Sequence, residues 1–203
     1  KGKGILHTAD NSTLVYDNGE PFRGVGINLC WESRTNDDSK FFKALHEQHD
    51  RFSYDVMLPD FAANGGNFTR MWMCSWNFPI DRKERFNNHR YTATAEYMNP
   101  SAVNHLDEVI RLAEDLDIKI MLCMGQGDVR ANRGFFNDED AKARYRNYLR
   151  YIVARWGYSP AIGMWEFFNE IDNIQHRDRN GVIPAAEIVA WHDQMSTYLK
   201  EID

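Results

Sequence analysis

Apolar positions along the chain gather into four short continuous runs, and helical spacing follows each of them. The runs cover 22–29, 67–73, 118–124 and 162–168, and their length and β-branched or aromatic content predict buried strands. Residues 55–63 predict a short helix that tolerates Pro59 at some cost. Asn99 can cap a second helix with Pro100 in its first position, and Val103, Leu106, Val109, Ile110, Ala113 and Leu116 then share one face. A third helix follows Asp138, buries a face carrying Tyr145, Tyr148, Leu149, Ile152, Val153 and Trp156, and stops at Gly157. The fourth begins near Pro184 and carries Ile188, Trp191, Met195, Tyr198, Leu199 and Ile202. Ahead of these units, Leu14, Val15 and Tyr16 followed by Asp17-Asn18-Gly19 predict a small β-hairpin.

A hairpin followed by four βα units predicts an α/β fold with a parallel sheet covered by helices. Arg23-Gly24-Val25-Gly26 lies inside the first strand and does not open a helix, so a phosphate-binding fingerprint is not supported. The links from helix to strand are terse, at 64–66, 117 and 158–161. Those from strand to helix are long, at 75–98, 125–137 and 171–183. Long loops leaving one end of a parallel sheet are where a (β/α)8 barrel keeps its active site, which favours an enzyme or a binder over a scaffold.

Composition narrows the partners. The 203 residues include 24 Lys and Arg against 30 Asp and Glu, a formal net charge of −6. That balance, without a basic block, argues against nucleic acid or an anionic membrane surface as partner. An aromatic content of 13% excludes a disordered chain. No apolar run approaches the roughly 18 residues of a membrane span. The opening Lys-Gly-Lys-Gly-Ile-Leu carries no initiator Met and no signal-peptide pattern, and reads as a cut within a longer protein or a processed end. Cys30, Cys74 and Cys123 have no metal-ligand spacing. Buried free thiols are the ordinary expectation, with a disulfide open if two of their strands are neighbours. His46 and His49 stand three residues apart, not the four of a helical zinc motif, and read as a polar stretch. Asn11-Ser12-Thr13 and Asn67-Phe68-Thr69 are glycosylation sequons, the second inside a strand. Residues 82–85 mix charges and read as exposed loop.

The strongest chemical signal is Trp165-Glu166-Phe167-Phe168-Asn169-Glu170, an apolar strand ending in an amide and a carboxylate. At the mouth of a barrel Glu170 would be partly desolvated, which raises a carboxyl's pKa and suits it to act as general acid. Asn169 beside it suits a hydrogen bond to a sugar hydroxyl. The structural alternative is that Glu170 caps the next turn or pairs with Arg177 or Arg179. Trp31, Trp72 and Trp76 fall at or after strand ends, and Tyr91 and Tyr97 lie in the second long loop. Such planes either stack on the C–H faces of pyranose rings or pack the loops. Trp156 and Trp191 sit on apolar helix faces and read as core. Glu32, Asp128 and Asp172 follow strand ends and read as substrate contacts or solvated charges.

Four segments taken together resemble the N-terminal half of a clan A glycoside hydrolase, closest to the family 5 cellulases and β-mannanases. Residues 22–28 (Phe-Arg-Gly-Val-Gly-Ile-Asn) resemble the first barrel strand with its Asn28. Residues 64–72 resemble the turn into the second strand with its Arg70. Residues 155–162 resemble the approach to the fourth strand, and 165–170 resemble that strand's Trp-Glu-x-x-Asn-Glu signature. The resemblance implies that Glu170 is the acid/base, that Asn169 binds the 2-hydroxyl, and that Arg70 orients the nucleophile and keeps it ionised. It further implies substrate contacts from Asn28, Trp31, Glu32, Trp72, Trp76, Gln126, Asp128 and Glu166. Ile171-Asp172 replaces the Pro that many members have after the pair, and Gln126 stands where a His is usual, so a divergent branch is implied.

The resulting expectation is a retaining glycosidase acting on a β-linked poly- or oligosaccharide, with no metal or organic cofactor, working outside the cell or in a periplasm. Residues 1–21 would form a lead-in and 22–203 the first four units of the barrel domain. A whole barrel needs roughly 250 residues. The nucleophile, a Glu ending the seventh strand in this clan, is therefore expected beyond Asp203, and the fragment alone is expected to be inactive. Open barrel edges would favour self-association. A non-catalytic carbohydrate-binding barrel domain is the alternative, and a metal-dependent barrel hydrolase is disfavoured by the missing ligand cluster.

Overall fold

The computed structural model describes residues 2–10, 12–32, 52–84, 90–125, 132–176 and 181–203. His46, His49, Gln126, Asp128, Arg177 and Arg179 lie outside the described residues, as do Asn11 and Arg85. In chain order the elements are β1 (Leu6–Thr8), β2 (Leu14–Tyr16), β3 (Gly26–Ile27), α1 (Tyr54–Ala63), β4 (Phe68–Trp72), α2 (Pro100–Asp115), β5 (Lys119–Cys123), α3 (Arg133–Asn137), α4 (Glu139–Trp156), β6 (Ile162–Glu166), α5 (Ile171–His176) and α6 (Ala185–Ile202). They gather into two compact units: Lys1–Met124 with Ser159–Glu166, and Gly125–Tyr158 with Phe167–Asp203.

The first unit holds the four-stranded sheet β3-β4-β5-β6, parallel throughout. Its register pairs Arg70 with Met121, Trp72 with Cys123, and Cys123 with Glu166. Alternation along the strands therefore sets Arg70, Trp72, Met121 and Glu166 on one face. The opposite face presents Thr69, Met71, Ile120 and Leu122, all fully buried. Helix α2 packs against β5 and against α1, burying Leu106, Val109, Ile110 and Ala113. Its start is as the sequence dictates: the Asn99 side chain accepts the Ala102 N–H and Pro100 takes the first position.

The first strand is far shorter than the run 22–29 suggests. Only Gly26 and Ile27 pair, opposite Phe68 and Thr69, and Val25 and Ile27 stand exposed on this edge. A Cβ on Gly26 would lie 2.8 Å from the Phe68 carbonyl oxygen, so the close approach of β3 to β4 requires glycine here. The hairpin also differs. Leu14–Tyr16 pairs antiparallel with Leu6–Thr8, a strand the pattern did not suggest. The Asp17-Asn18-Gly19 turn does form, closed by Gly19 N–H to the Tyr16 carbonyl, and leads to one bridge between Val15 and Pro21.

The second unit is built around aromatic side chains from α3, α4, α6 and the segment after β6. Asp138 caps α4 through the Ala141 N–H. The short helices α3 and α5 fall within stretches that the sequence suggested to be plain loop. Trp191 of α6 is fully buried, with Phe135, Phe136, Tyr145, Phe167 and Phe168 around it. Among the described residues no helix is long and apolar enough to cross a membrane.

Candidate active site

Arg70 rises from the middle of β4 and Glu166 from the last position of β6, with β5 between them. The guanidinium spans that strand and binds the carboxylate with two parallel bonds, Nε to Oε2 at 2.6 Å and Nη2 to Oε1 at 2.5 Å. Their side chains are 18% and 25% exposed, so the pair is largely removed from water. A two-point match fixes the plane of the guanidinium as well as its place, which a lysine could not do. Hydrogen bonding to Glu166 raises the Arg70 pKa above its ordinary value, against a smaller opposing effect of burial. The guanidinium carbon also sits 5.3 Å from the centre of the Trp72 ring.

Beside the pair stand three tryptophans. Trp31 and Trp72 are tilted at 44° with centroids 4.8 Å apart, and Trp76 meets Trp31 edge-on at 6.1 Å. Trp31 and Trp72 are half-buried, while Trp76 is buried behind them. Asn28 is exposed just past β3.

Glu32 differs from the sequence expectation of a substrate contact or loop charge. It is only 5% exposed. Its carboxylate accepts the Ser53 N–H at 2.9 Å and an Arg90 nitrogen at 3.5 Å. His105 Nε2 lies 2.8 Å from Oε1, a close contact without hydrogen-bond geometry. His105 also stacks on Phe52 at 3.5 Å, the Arg90 guanidinium covers the Phe52 ring at 3.6 Å, and the Tyr91 hydroxyl reaches His105 Nδ1 at 3.1 Å. Glu32 thus ties the chain after β3 to the start of α1, to α2 and to the loop before α2. A buried carboxylate needs such partners, and here it acts as internal support.

In the second unit, Asn169 and Glu170 follow Phe167 and Phe168. Asn169 is buried, and its N–H donates to the Gly125 carbonyl at 2.8 Å. Glu170 takes a left-handed backbone conformation, φ 50°, rare for a side-chain-bearing residue. Its carbonyl accepts the Asn173 N–H at 3.0 Å and its carboxylate accepts the Asn173 amide at 2.7 Å. The carboxylate is exposed, where its strand-end position suggested desolvation, and it bonds to Asn173 in the first turn of α5.

Cys30, Cys74 and Cys123 are all free. Burial pushes the Cys74 thiol up to about 12, and Cys123 is fully buried. Cys30 is half-buried, and burial, partly offset by the nearby Arg70 charge, lifts its thiol above the ordinary value. A thiol-reactive disulfide reagent at mildly alkaline pH is therefore expected to label Cys30 alone, and slowly, in the native chain, with all three labelled in denaturant. Two or more thiols reacting at the native rate would contradict this packing.

Sequence reasoning missed Asn77, His105 and Asn173. The first had a signal, an amide directly after a tryptophan at a strand end. The other two act through partners that spacing does not reveal.

Residues 15–203 match the family model Cellulase (glycosyl hydrolase family 5). A probable mannan endo-1,4-β-mannosidase C of Aspergillus terreus is 29% identical over 117 residues, covering 48% of this chain and 29% of that protein. Mannan endo-1,4-β-mannosidase A of Podospora anserina is 24% identical over 164 residues, covering 73% and 42%. The chain thus spans less than half the length of these curated relatives. Among solved structures, the β-mannanase of the blue mussel Mytilus edulis superposes with a TM-score of 0.67 at 18% identity, covering 100% of this chain and 61% of that one. The β-1,4-D-mannanase of Cryptopygus antarcticus gives 0.65 at 19% identity, covering 98% and 58%. These likenesses show the fold: β3 to β6 and their helices are part of a (β/α)8 barrel. With its parallel strands, its Trp-Glu-x-x-Asn-Glu segment and nearly its whole length matched, the chain belongs to the cellulase family, glycosyl hydrolase family 5.

Proposed function

We propose that the protein is a retaining glycoside hydrolase that cleaves a β-linked polysaccharide of the mannan type. The observation that carries this is Glu170, held left-handed directly after Asn169 where the chain leaves β6, within the span matched by the family. Glu170 serves as acid and then base, and Asn169 as the amide that binds the sugar's 2-hydroxyl. Arg70, locked by Glu166, serves as a fixed positive charge. Trp31 and Trp72 bind the pyranose faces. In this assignment Glu166 serves Arg70 and not the sugar, and Glu32 and Trp76 serve as internal support within the first unit.

Retention needs a second carboxylate roughly 5–5.5 Å from the first. Glu166 is committed to Arg70 and Glu32 is buried among its own partners, so neither is proposed as nucleophile. That role is assigned to a strand end of the complete barrel. A polymeric substrate too large to enter a cell places the enzyme outside the cytoplasm.

The test is a hydrolysis screen of mannan, cellulose and xylan with the protein carrying its whole barrel, with the anomer of the first product read by NMR. Release of β-anomeric mannooligosaccharides is expected. An α-anomeric first product would overturn the retaining mechanism. Binding of mannan without turnover would leave the carbohydrate-binding alternative in place of catalysis.

A further inference from the structure

Asn77 is fully buried beneath the tryptophan cluster. Its Nδ2 donates to the Trp72 carbonyl at 2.8 Å and reaches the Tyr54 hydroxyl at 3.3 Å and the Cys30 carbonyl at 3.4 Å. Its Oδ1 accepts the Glu32 N–H at 3.4 Å. Cys30 and Glu32 flank Trp31 in the chain, and Trp76 directly precedes Asn77. One amide therefore holds backbone groups at Trp72 and on either side of Trp31, and its own residue follows Trp76.

This matters because β3 ends at Ile27. Beyond it the chain carrying Trp31 has left the regular ladder, and buried backbone groups there need other partners. Trp72 N–H donates to the Cys30 carbonyl at 2.8 Å and the Tyr54 hydroxyl to the Leu29 carbonyl at 2.9 Å. Asn77 supplies further cross-links between the ends of β3 and β4. Its own place is fixed from both sides. The Cys74 N–H donates to its carbonyl at 2.7 Å, and Phe78 after it is left-handed, φ 49°, with its N–H on the Tyr91 hydroxyl at 2.9 Å.

We propose that Asn77 is the positioning residue of a sugar-stacking platform, setting the half-buried faces of Trp31 and Trp72, with Trp76 as buttress, to receive one hexopyranosyl ring of a β-linked chain. The platform rests on the carbohydrate function proposed above. Stacking depends on ring orientation, so releasing the amide frees the Trp31 ring without removing any atom that would touch the sugar.

The experiment compares the protein carrying its whole barrel with its Asn77→Ala variant by two readouts. The first is the far-ultraviolet circular-dichroism couplet of the closely spaced indoles. The second is the Kd for mannohexaose and cellohexaose, from tryptophan fluorescence. The expected result is loss of the couplet and about tenfold weaker binding, the worth of one well-set stacking contact. Asn77→Ser, which keeps one donor, should fall between the two. If Asn77→Ala does not fold, Asn77→Ser decides, and wild-type values for it overturn the inference. Unchanged couplet and affinity in a folded Asn77→Ala variant overturn it while leaving the carbohydrate function standing. An unsubstituted protein carrying its whole barrel that binds neither oligosaccharide overturns that function and the platform with it.

Discussion

Glu170→Gln is expected to lower hydrolysis of an unactivated β-glycan by about 10²- to 10⁴-fold in the protein carrying its whole barrel, the usual contribution of a general acid–base. Oligosaccharide affinity should stay within about threefold, because the group acts on the transition state rather than on the bound ground state. The substitution separates chemistry from structure. A glutamine still offers an oxygen to the Asn173 amide, and the Glu170 carbonyl still accepts the Asn173 N–H, so the start of α5 is preserved. If Glu170 merely caps that turn, the variant works nearly as well as the parent.

The backbone favours the chemical role. A left-handed non-glycine residue costs about 1–2 kcal/mol, and strain of this kind persists where the surroundings enforce it, often at working sites. An aryl glycoside with a good leaving group needs little protonation, so its first step should survive the substitution far better than that of a native glycan. Equal losses on both substrates would count against Glu170 as the acid.

How far the chain disclosed this in advance differs from element to element. The caps of α2 and α4 were legible because they are local: Asn99 before Pro100, and Asp138 before an apolar face of period 3.6. The run 22–29 was overread because an apolar run reports burial and strand propensity, not how many residues find a neighbour. Among the described residues, Gly26 and Ile27 are the ones that pair with β4. Helices α3 and α5, of five and six residues, are too short for any periodicity to show. Arg70 stood out only through the resemblance of residues 64–72 to the turn into the second barrel strand. Its partner was not legible, since Glu166 lies 96 positions away and only the register of β4, β5 and β6 brings the two onto one face. Glu32 looked like a surface charge for the same reason, because Ser53, Arg90 and His105 come from three other segments. The left-handed φ of Glu170 and its bond to Asn173 belong to a turn that no composition predicts.

Trp191→Ala is expected to be the most destabilising single change in the second unit, at about 3–5 kcal/mol, the range for deleting a fully buried large aromatic. Trp191 is 1% exposed, and its ring centre lies 4.8 Å from that of Tyr145, 5.3 Å from Phe135 and Phe168, 5.6 Å from Phe136 and 5.7 Å from Phe167. Alanine would leave a cavity that five rigid rings cannot collapse into without leaving their rotamers. The damage reaches the candidate site because Phe167 and Phe168 immediately precede Asn169 and Glu170. In denaturant titrations the midpoint should fall with little change in slope, the sign of lost stability rather than of altered exposed surface. Trp191→Phe keeps a ring in place and should lose much less. Tyr158→Ala, at a residue 74% exposed, should stay within about 0.5 kcal/mol of the parent. A Trp191→Ala loss no larger than that of Tyr158→Ala would mean that the aromatic cluster does not hold the segment carrying Glu170.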